Sequence, residues 1–150
     1  MQILELASDT DTRALGGRLA ALLRRGDVVA LHGDLGAGKT TLARGLIQSL
    51  LGSEVEVPSP TYTLVQMYDG PGFPLWHFDL YRLDEPGDVQ ELGWDETPEG
   101  AALIEWPERA GRLLPQVRLD VFLEISGEGR CARLEPRGEG WQERLDELFV

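Results

Sequence analysis

Residues 33–40 read Gly33-Asp34-Leu35-Gly36-Ala37-Gly38-Lys39-Thr40, a complete G-x-x-x-x-G-K-[ST] pattern, and this run constrains the chain more than any other. The apolar run Val28-Val29-Ala30-Leu31 before it suits a buried parallel strand. After it, Leu42, Leu46, Ile47 and Leu50 recur at helical spacing, and Gly52 can end that helix. Strand, glycine loop and helix together form a phosphate cradle. Glycines let successive backbone N–H groups converge on phosphate oxygens, and the helix adds its positive N-terminal end. Lys39 supplies a compact charge that reaches the β- and γ-phosphates, and the Thr40 hydroxyl is a ligand for Mg²⁺. Of the 14 basic residues, Lys39 is the only lysine. Arginine, with its broad planar head, is no equivalent there. The motif marks a nucleotide site.

The remaining composition limits what surrounds that site. At 150 residues the chain suits one domain, residues 1–150, with one core and little room for a separate substrate domain. With 26 acidic residues and a net charge of −12, its field repels polyanions, so unaided nucleic-acid binding is disfavoured. An acidic protein that docks on a basic partner fits better. No apolar run is long enough for a transmembrane helix; residues 19–23 are among the longest. Glu5, Asp9 and Asp11 stand where a signal peptide needs a basic and then an apolar stretch. A lone cysteine, Cys131, forms no internal disulfide. A cytoplasmic protein is expected.

Elsewhere the chain alternates. Residues 3–6 read as a strand; Ser8-Asp9-Thr10-Asp11 then caps a helix carrying Leu15, Leu19, Leu22 and Leu23, ended by Gly26. Residues 61–68 and 75–83 are β-rich and flank the turn cluster Asp69-Gly70-Pro71-Gly72, which predicts a hairpin. Asp84 and Pro86 open a short helix through about Leu92. Residues 101–104 form another buried strand, and 118–125 with 131–136 a late strand pair across Gly127-Glu128-Gly129. Trp141, Leu145, Leu148 and Phe149 mark a terminal amphipathic helix. The expected fold is α/β: a P-loop NTPase-like three-layer sandwich, with helices on both faces of a mixed, mainly parallel sheet that carries antiparallel hairpins.

Magnesium on a nucleotide needs an acid at the end of a neighbouring strand. Asp79, after Leu75-Trp76-His77-Phe78, and Glu105, after Ala101-Ala102-Leu103-Ile104, both qualify, and the pattern does not rank them. His32, His77 and Cys131 lack metal-ligand spacing and read as two strand histidines and a buried thiol. G-x-S-x-G, H-E-x-x-H and C-x-x-C are missing, and the guanine motif N-K-x-D needs a second lysine, so a conventional GTPase is excluded. Trp106, between Glu105 and Pro107, reads as a core or edge aromatic, a partner anchor or part of the nucleotide pocket.

Four blocks carry a family resemblance: residues 33–41, Ser59-Pro60-Thr61-Tyr62-Thr63-Leu64-Val65, His77-Phe78-Asp79-Leu80-Tyr81-Arg82-Leu83 and Leu103-Ile104-Glu105-Trp106-Pro107. Ser8 through Gly16 adds an S-x-x-x-T-x-x-L-G element. Over about residues 8–134 the chain resembles the TsaE (formerly YjeE) family of bacterial P-loop ATPases in tRNA threonylcarbamoyladenosine synthesis. The resemblance implies ATP and Mg²⁺ as cofactors. It places phosphates on Lys39 and the backbone of Asp34, Leu35, Gly36, Ala37, Gly38, Thr40 and Thr41, with Thr40 and Glu105 on the metal. Asp79 resembles the family's Walker B-type acid, which orients the metal shell or the attacking water. Thr12 corresponds to a residue near the base and Arg130 to one near the nucleotide. Thr61 and Thr63 fall in a phosphate-sensing switch, and Trp106 resembles a residue important for activity.

The implied partners are TsaD and TsaB, which transfer threonylcarbamoyl to tRNA; tRNA meets this chain only through them. The resemblance further implies that ATP hydrolysis resets that pair between turnovers, with neither membrane nor DNA involved. A slow isolated ATPase is expected, since no arginine finger is evident from spacing; Arg82 and Arg130 are the in-chain options. Two other readings use the same loop. In one, a nucleotide-gated binding module needs no hydrolysis. In the other, a small-molecule kinase needs an Arg-rich lid, which only Arg109 and Arg112 approach.

Overall fold

A computed structural model describes residues 2–149. One seven-stranded sheet runs in the order β1-β7-β6-β2-β5-β4-β3. The strands are β1 (Gln2–Leu6), β2 (Val28–His32), β3 (Val65–Asp69), β4 (Pro74–Asp79), β5 (Ala101–Glu105), β6 (Arg118–Ser126) and β7 (Gly129–Arg137). The four central strands, β6, β2, β5 and β4, are mutually parallel, while β1, β7 and β3 add antiparallel edges. Their sequences explain the placement. All five residues of β5 and the first four of β2 are buried, as continuous apolar runs require between two covered faces. Edge strand β3 instead exposes Met67 and Asp69.

Helices α1 (Asp9–Ala20), α2 (Lys39–Leu51) and α3 (Trp141–Leu148) contribute to the core on one face. Ser8 caps α1 by accepting from the Asp11 N–H at 3.3 Å, and Asp11 Oδ2 accepts from the Ala7 N–H at 2.9 Å. The backbones of α1 and α2 touch. A Cβ built on Gly16 would lie 2.2 Å from the Leu42 carbonyl oxygen, and one on Gly45 2.3 Å from that of Arg13. This contact seats α2, and with it the phosphate loop, directly on α1. In α3, Arg144 pairs with Asp27 at 2.6 and 3.0 Å and donates to the Leu22 carbonyl, closing the chain end over the α1–β2 turn.

The opposite face carries the second expected helical layer as short 3₁₀ helices. Three 3₁₀ helices, Pro86–Leu92, Trp94–Glu99 and Pro107–Leu113, join Trp76, Phe78 and Ile104 of β4 and β5 in a second core. Pro86, Gly93, Pro98, Pro107 and Gly111 interrupt this region too often for a full α-helix. The predicted helix through Leu92 is therefore the first of these. Other boundaries also shift. Helix α1 stops at Ala20, and Leu22 and Leu23 follow in tight i→i−3 turns. The predicted 61–68 and 75–83 strands shrink to Val65–Asp69 and Pro74–Asp79. Cys131 is half-buried, not the buried thiol expected, because its side of β7 lacks a helical cover.

Candidate nucleotide site

Parallel pairing puts the ends of β2, β4 and β5 along one edge, where ligands of open α/β sheets gather. Residues 33–38 connect β2 to α2 at this edge. Gly38, at φ 106°, takes the left-handed conformation that starts α2, and glycine adopts it without penalty. At Gly33 a Cβ would come within 2.6 Å of the Leu123 carbonyl oxygen, so β6 leaves no room for a side chain. Lys39 opens α2 and is 5% exposed. Its Nζ donates to the Gly33 carbonyl and, at 3.3 Å, to that of Asp34, and lies 3.7 Å from the centre of the Trp106 ring. Burial lowers the Lys39 pKa from its ordinary value, against the opposing pull of Glu105, Glu108, Asp79 and Asp34.

The two strand-end acids lie side by side, since Asp79 and Glu105 are register partners. Glu105 is 2% exposed and accepts from Thr40 Oγ1 at 2.9 Å on Oε1 and 3.1 Å on Oε2. His77 Nε2 lies 2.7 Å from Glu105 Oε2. Asp79 is bound differently. Its Oδ1 accepts from the Tyr81 N–H at 3.0 Å, its Oδ2 from Thr61 Oγ1 at 3.3 Å, and its own N–H donates to the Leu64 carbonyl. Leu64 has φ 68°, a left-handed conformation unusual for a branched residue, which turns the 59–64 segment into β3. The structure thus separates acids that the pattern left equal. Glu105 is joined to the loop threonine, and Asp79 to the switch segment.

These groups share a cleft of about 320 Å³ lined by Asp34, Leu35, Gly36, Gly38, Lys39, Thr40, Thr41, Thr61, Asp79, Glu105, Trp106 and Arg130. Arg130 reaches it from β7, donating from Nη2 to the Gly36 carbonyl at 2.8 Å. Trp106 faces Lys39, held at φ 57° and tilted against Tyr81 at 4.8 Å between ring centres. Four expected residues stand outside this lining. Thr12 is buried behind the loop, its Cγ2 3.5 Å from where a Gly38 Cβ would be, and Ala37 is buried. Thr63 is exposed and accepts from Gln66. Arg82 lies over the exposed Tyr62 ring, outside the lining.

Asp9 and Ser59 also line the cleft, and neither carries a local sequence signal for that role. Asp9 looked like a helix cap, and only the seating of α1 against the loop brings it there. The donor set fits Mg²⁺ carried on a nucleotide, because a hydroxyl and carboxylates adjoin a phosphate cradle and all are hard oxygen ligands. Among the described residues, no group of three or more His, Cys, Asp or Glu is placed to hold a metal ion by itself, and no helix is long and apolar enough to cross a membrane.

Comparison with known proteins follows the same lines. The family model for threonylcarbamoyl adenosine biosynthesis protein TsaE matches residues 6–133. Relatives carrying the name tRNA threonylcarbamoyladenosine biosynthesis protein TsaE include one from Rickettsia felis, 40% identical over 85% of this chain and 75% of its own length. Another, from Nostoc, is 42% identical over 87% of this chain and 83% of its own length. One from Bacillus subtilis is 38% identical over 79% and 74%. The crystal structure of Bacillus subtilis YdiB superposes with a TM-score of 0.82 at 29% identity, covering 99% of this chain and 93% of that one. With a family match across most of its length and a fold shared end to end, the chain belongs to the TsaE family.

Proposed function

We propose that this chain binds and hydrolyses ATP as an accessory protein of tRNA threonylcarbamoyladenosine modification, acting on a TsaB–TsaD pair to permit repeated turnover. One observation carries the reading: in a TsaE-family chain, Lys39, Thr40, Asp79 and Glu105 converge on one cleft beside the phosphate loop. Lys39 and the loop N–H groups would take the phosphates, while Thr40 and Glu105 would hold Mg²⁺. When bound, Mg²⁺ supplies charge neutralisation on the phosphoryl oxygens. Asp79 would orient water from its anchored position beside Thr61. Catalysis rests on positioning and electrostatics, without a covalent intermediate.

Arg130 is already engaged with the Gly36 carbonyl, which favours a slow isolated enzyme whose missing cation comes from the partner. A net charge of −12 favours docking on protein, with tRNA held by the partners. The test is ATP turnover by the chain alone and then with purified TsaB–TsaD, with Lys39→Ala as the blank. Strong stimulation supports the reading. Near-blank rates in both cases, despite tight ATP binding, would replace it with a nucleotide-gated module. The tie between Asp79 and the 59–64 segment makes that second reading concrete. Asp79→Asn separates the two. A variant that docks yet fails in repeated modification supports hydrolysis, whereas full multiple-turnover activity supports gating.

A further inference from the structure

His77 is buried completely, at the middle of the sheet edge that forms the site. An imidazole in such a position costs free energy unless its polar atoms are paired. Only one of them is. Nε2 meets Glu105 Oε2 at 2.7 Å, and Nδ1 has no partner among the described residues. That contact selects the tautomer with its proton on Nε2, which donates to the carboxylate and leaves Nδ1 a bare acceptor. Its strand neighbours on the same face, Leu75 and Asp79, show what the fold alone asks here: leucine fills the core, and polarity begins only at the strand end. A leucine at position 77 would satisfy the core without the desolvation cost.

The single bond His77 makes lands on the carboxylate that also accepts from Thr40. Glu105 is thereby held between the first turn of α2 and the middle of β4. Oε2 takes the His77 bond and the longer arm of the single Thr40 proton, whereas among the described residues Oε1 takes only the shorter arm and keeps its other lone pair free. We infer that His77 is a positioning residue that pins Glu105 Oε2 and so presents Oε1, beside the Thr40 hydroxyl, to the divalent cation of a bound metal–nucleotide. This inference rests on the proposed Mg–nucleotide reading of the cleft. Groups one bond removed from a metal's own ligands commonly alter its affinity by ten- to a hundredfold.

The experiment measures Mn²⁺ binding to the ADP complex of the full chain by electron paramagnetic resonance, and ADP binding in EDTA by calorimetry. His77→Leu should weaken Mn²⁺ about tenfold or more and leave metal-free ADP affinity unchanged within about twofold, because Lys39 and the loop are untouched. His77→Gln, whose amide nitrogen can take the place of Nε2, should recover most of the loss. His77→Asn, too short to reach Glu105, should not, and it serves in place of the leucine variant if that one fails to fold. In a Glu105→Gln background, His77→Leu should cause no further loss of Mn²⁺ affinity. Native Mn²⁺ affinity in folded His77→Leu or His77→Asn would overturn the inference alone. A native chain that binds no ADP would overturn the nucleotide-site reading, and one whose ADP complex binds no Mn²⁺ would overturn the metal–nucleotide reading, and either result would take this inference with it.

Discussion

Asp120→Asn probes the strand pair that supports the phosphate loop. Asp120 is 1% exposed on β6 and accepts from His32 Nε2 at 2.9 Å, Arg118 Nε at 2.9 Å and Arg137 Nε at 3.0 Å. Burial by itself would raise its pKa, but the hydrogen bonds from His32, Arg118 and Arg137 outweigh it and bring the value from 3.8 down to about 2. A carboxyl with a depressed folded pKa stabilises the fold above its unfolded value and loses that contribution as pH falls toward the folded one. The shift corresponds to about 2 kcal/mol at neutral pH, an upper figure because the Arg137 side chain is 50% exposed. Asparagine removes the charge and turns an amide N–H₂ toward guanidinium donors. Urea unfolding should therefore show a loss of about 2 kcal/mol at pH 7 and pH 5, falling to about half at pH 3, below the unfolded value of 3.8, where the unfolded carboxyl is mostly protonated while the native one stays largely ionised. An equal loss at all three pH values would refute the electrostatic account and leave only a packing effect.

Other outcomes follow from single contacts. Lys39→Ala should weaken ATP binding by about ten- to a hundredfold, the worth of a charged hydrogen-bonding group, as titration calorimetry would register; unchanged affinity would refute the phosphate assignment. Gly45→Ala should cost about 1–3 kcal/mol in thermal or urea unfolding, since its Cβ meets the Arg13 backbone at 2.3 Å. Gly17→Ala, on the same helix pair with Ser49 Oγ no nearer than 3.6 Å, should instead be neutral or stabilise by up to about 1 kcal/mol. Phosphate that draws the Lys39 ammonium from the Trp106 ring should change tryptophan emission on ATP addition. Trp106→Phe should abolish that change, because Trp76, Trp94 and Trp141 are buried away from the cleft lining; a persisting signal would count against the contact.

Much of this protein follows from local pattern. The glycine loop has to leave a strand and enter a helix, the runs at 28–31 and 101–104 are apolar enough to demand a central place, and the Ser8 cap marks where α1 begins. These features are legible because each depends on neighbours a few residues away. The layer over β4 and β5 was less legible, since proline and glycine forbid a long helix without specifying three 3₁₀ turns.

Tertiary structure decided what depends on pairing across the chain. Only the parallel register of β4 and β5 sets Asp79 beside Glu105, and only side-chain placement gives Glu105 to Thr40 and Asp79 to Thr61. His77, one of two strand histidines in the sequence, gains its meaning from a carboxylate 28 residues away. Asp9 reaches the cleft and Thr12 lies behind the loop against Gly38 because glycine contacts between α1 and α2 fix which face of the first turn meets the loop. Periodicity names the elements and the chemistry they carry; the distances between side chains on different strands exist only once the sheet has formed.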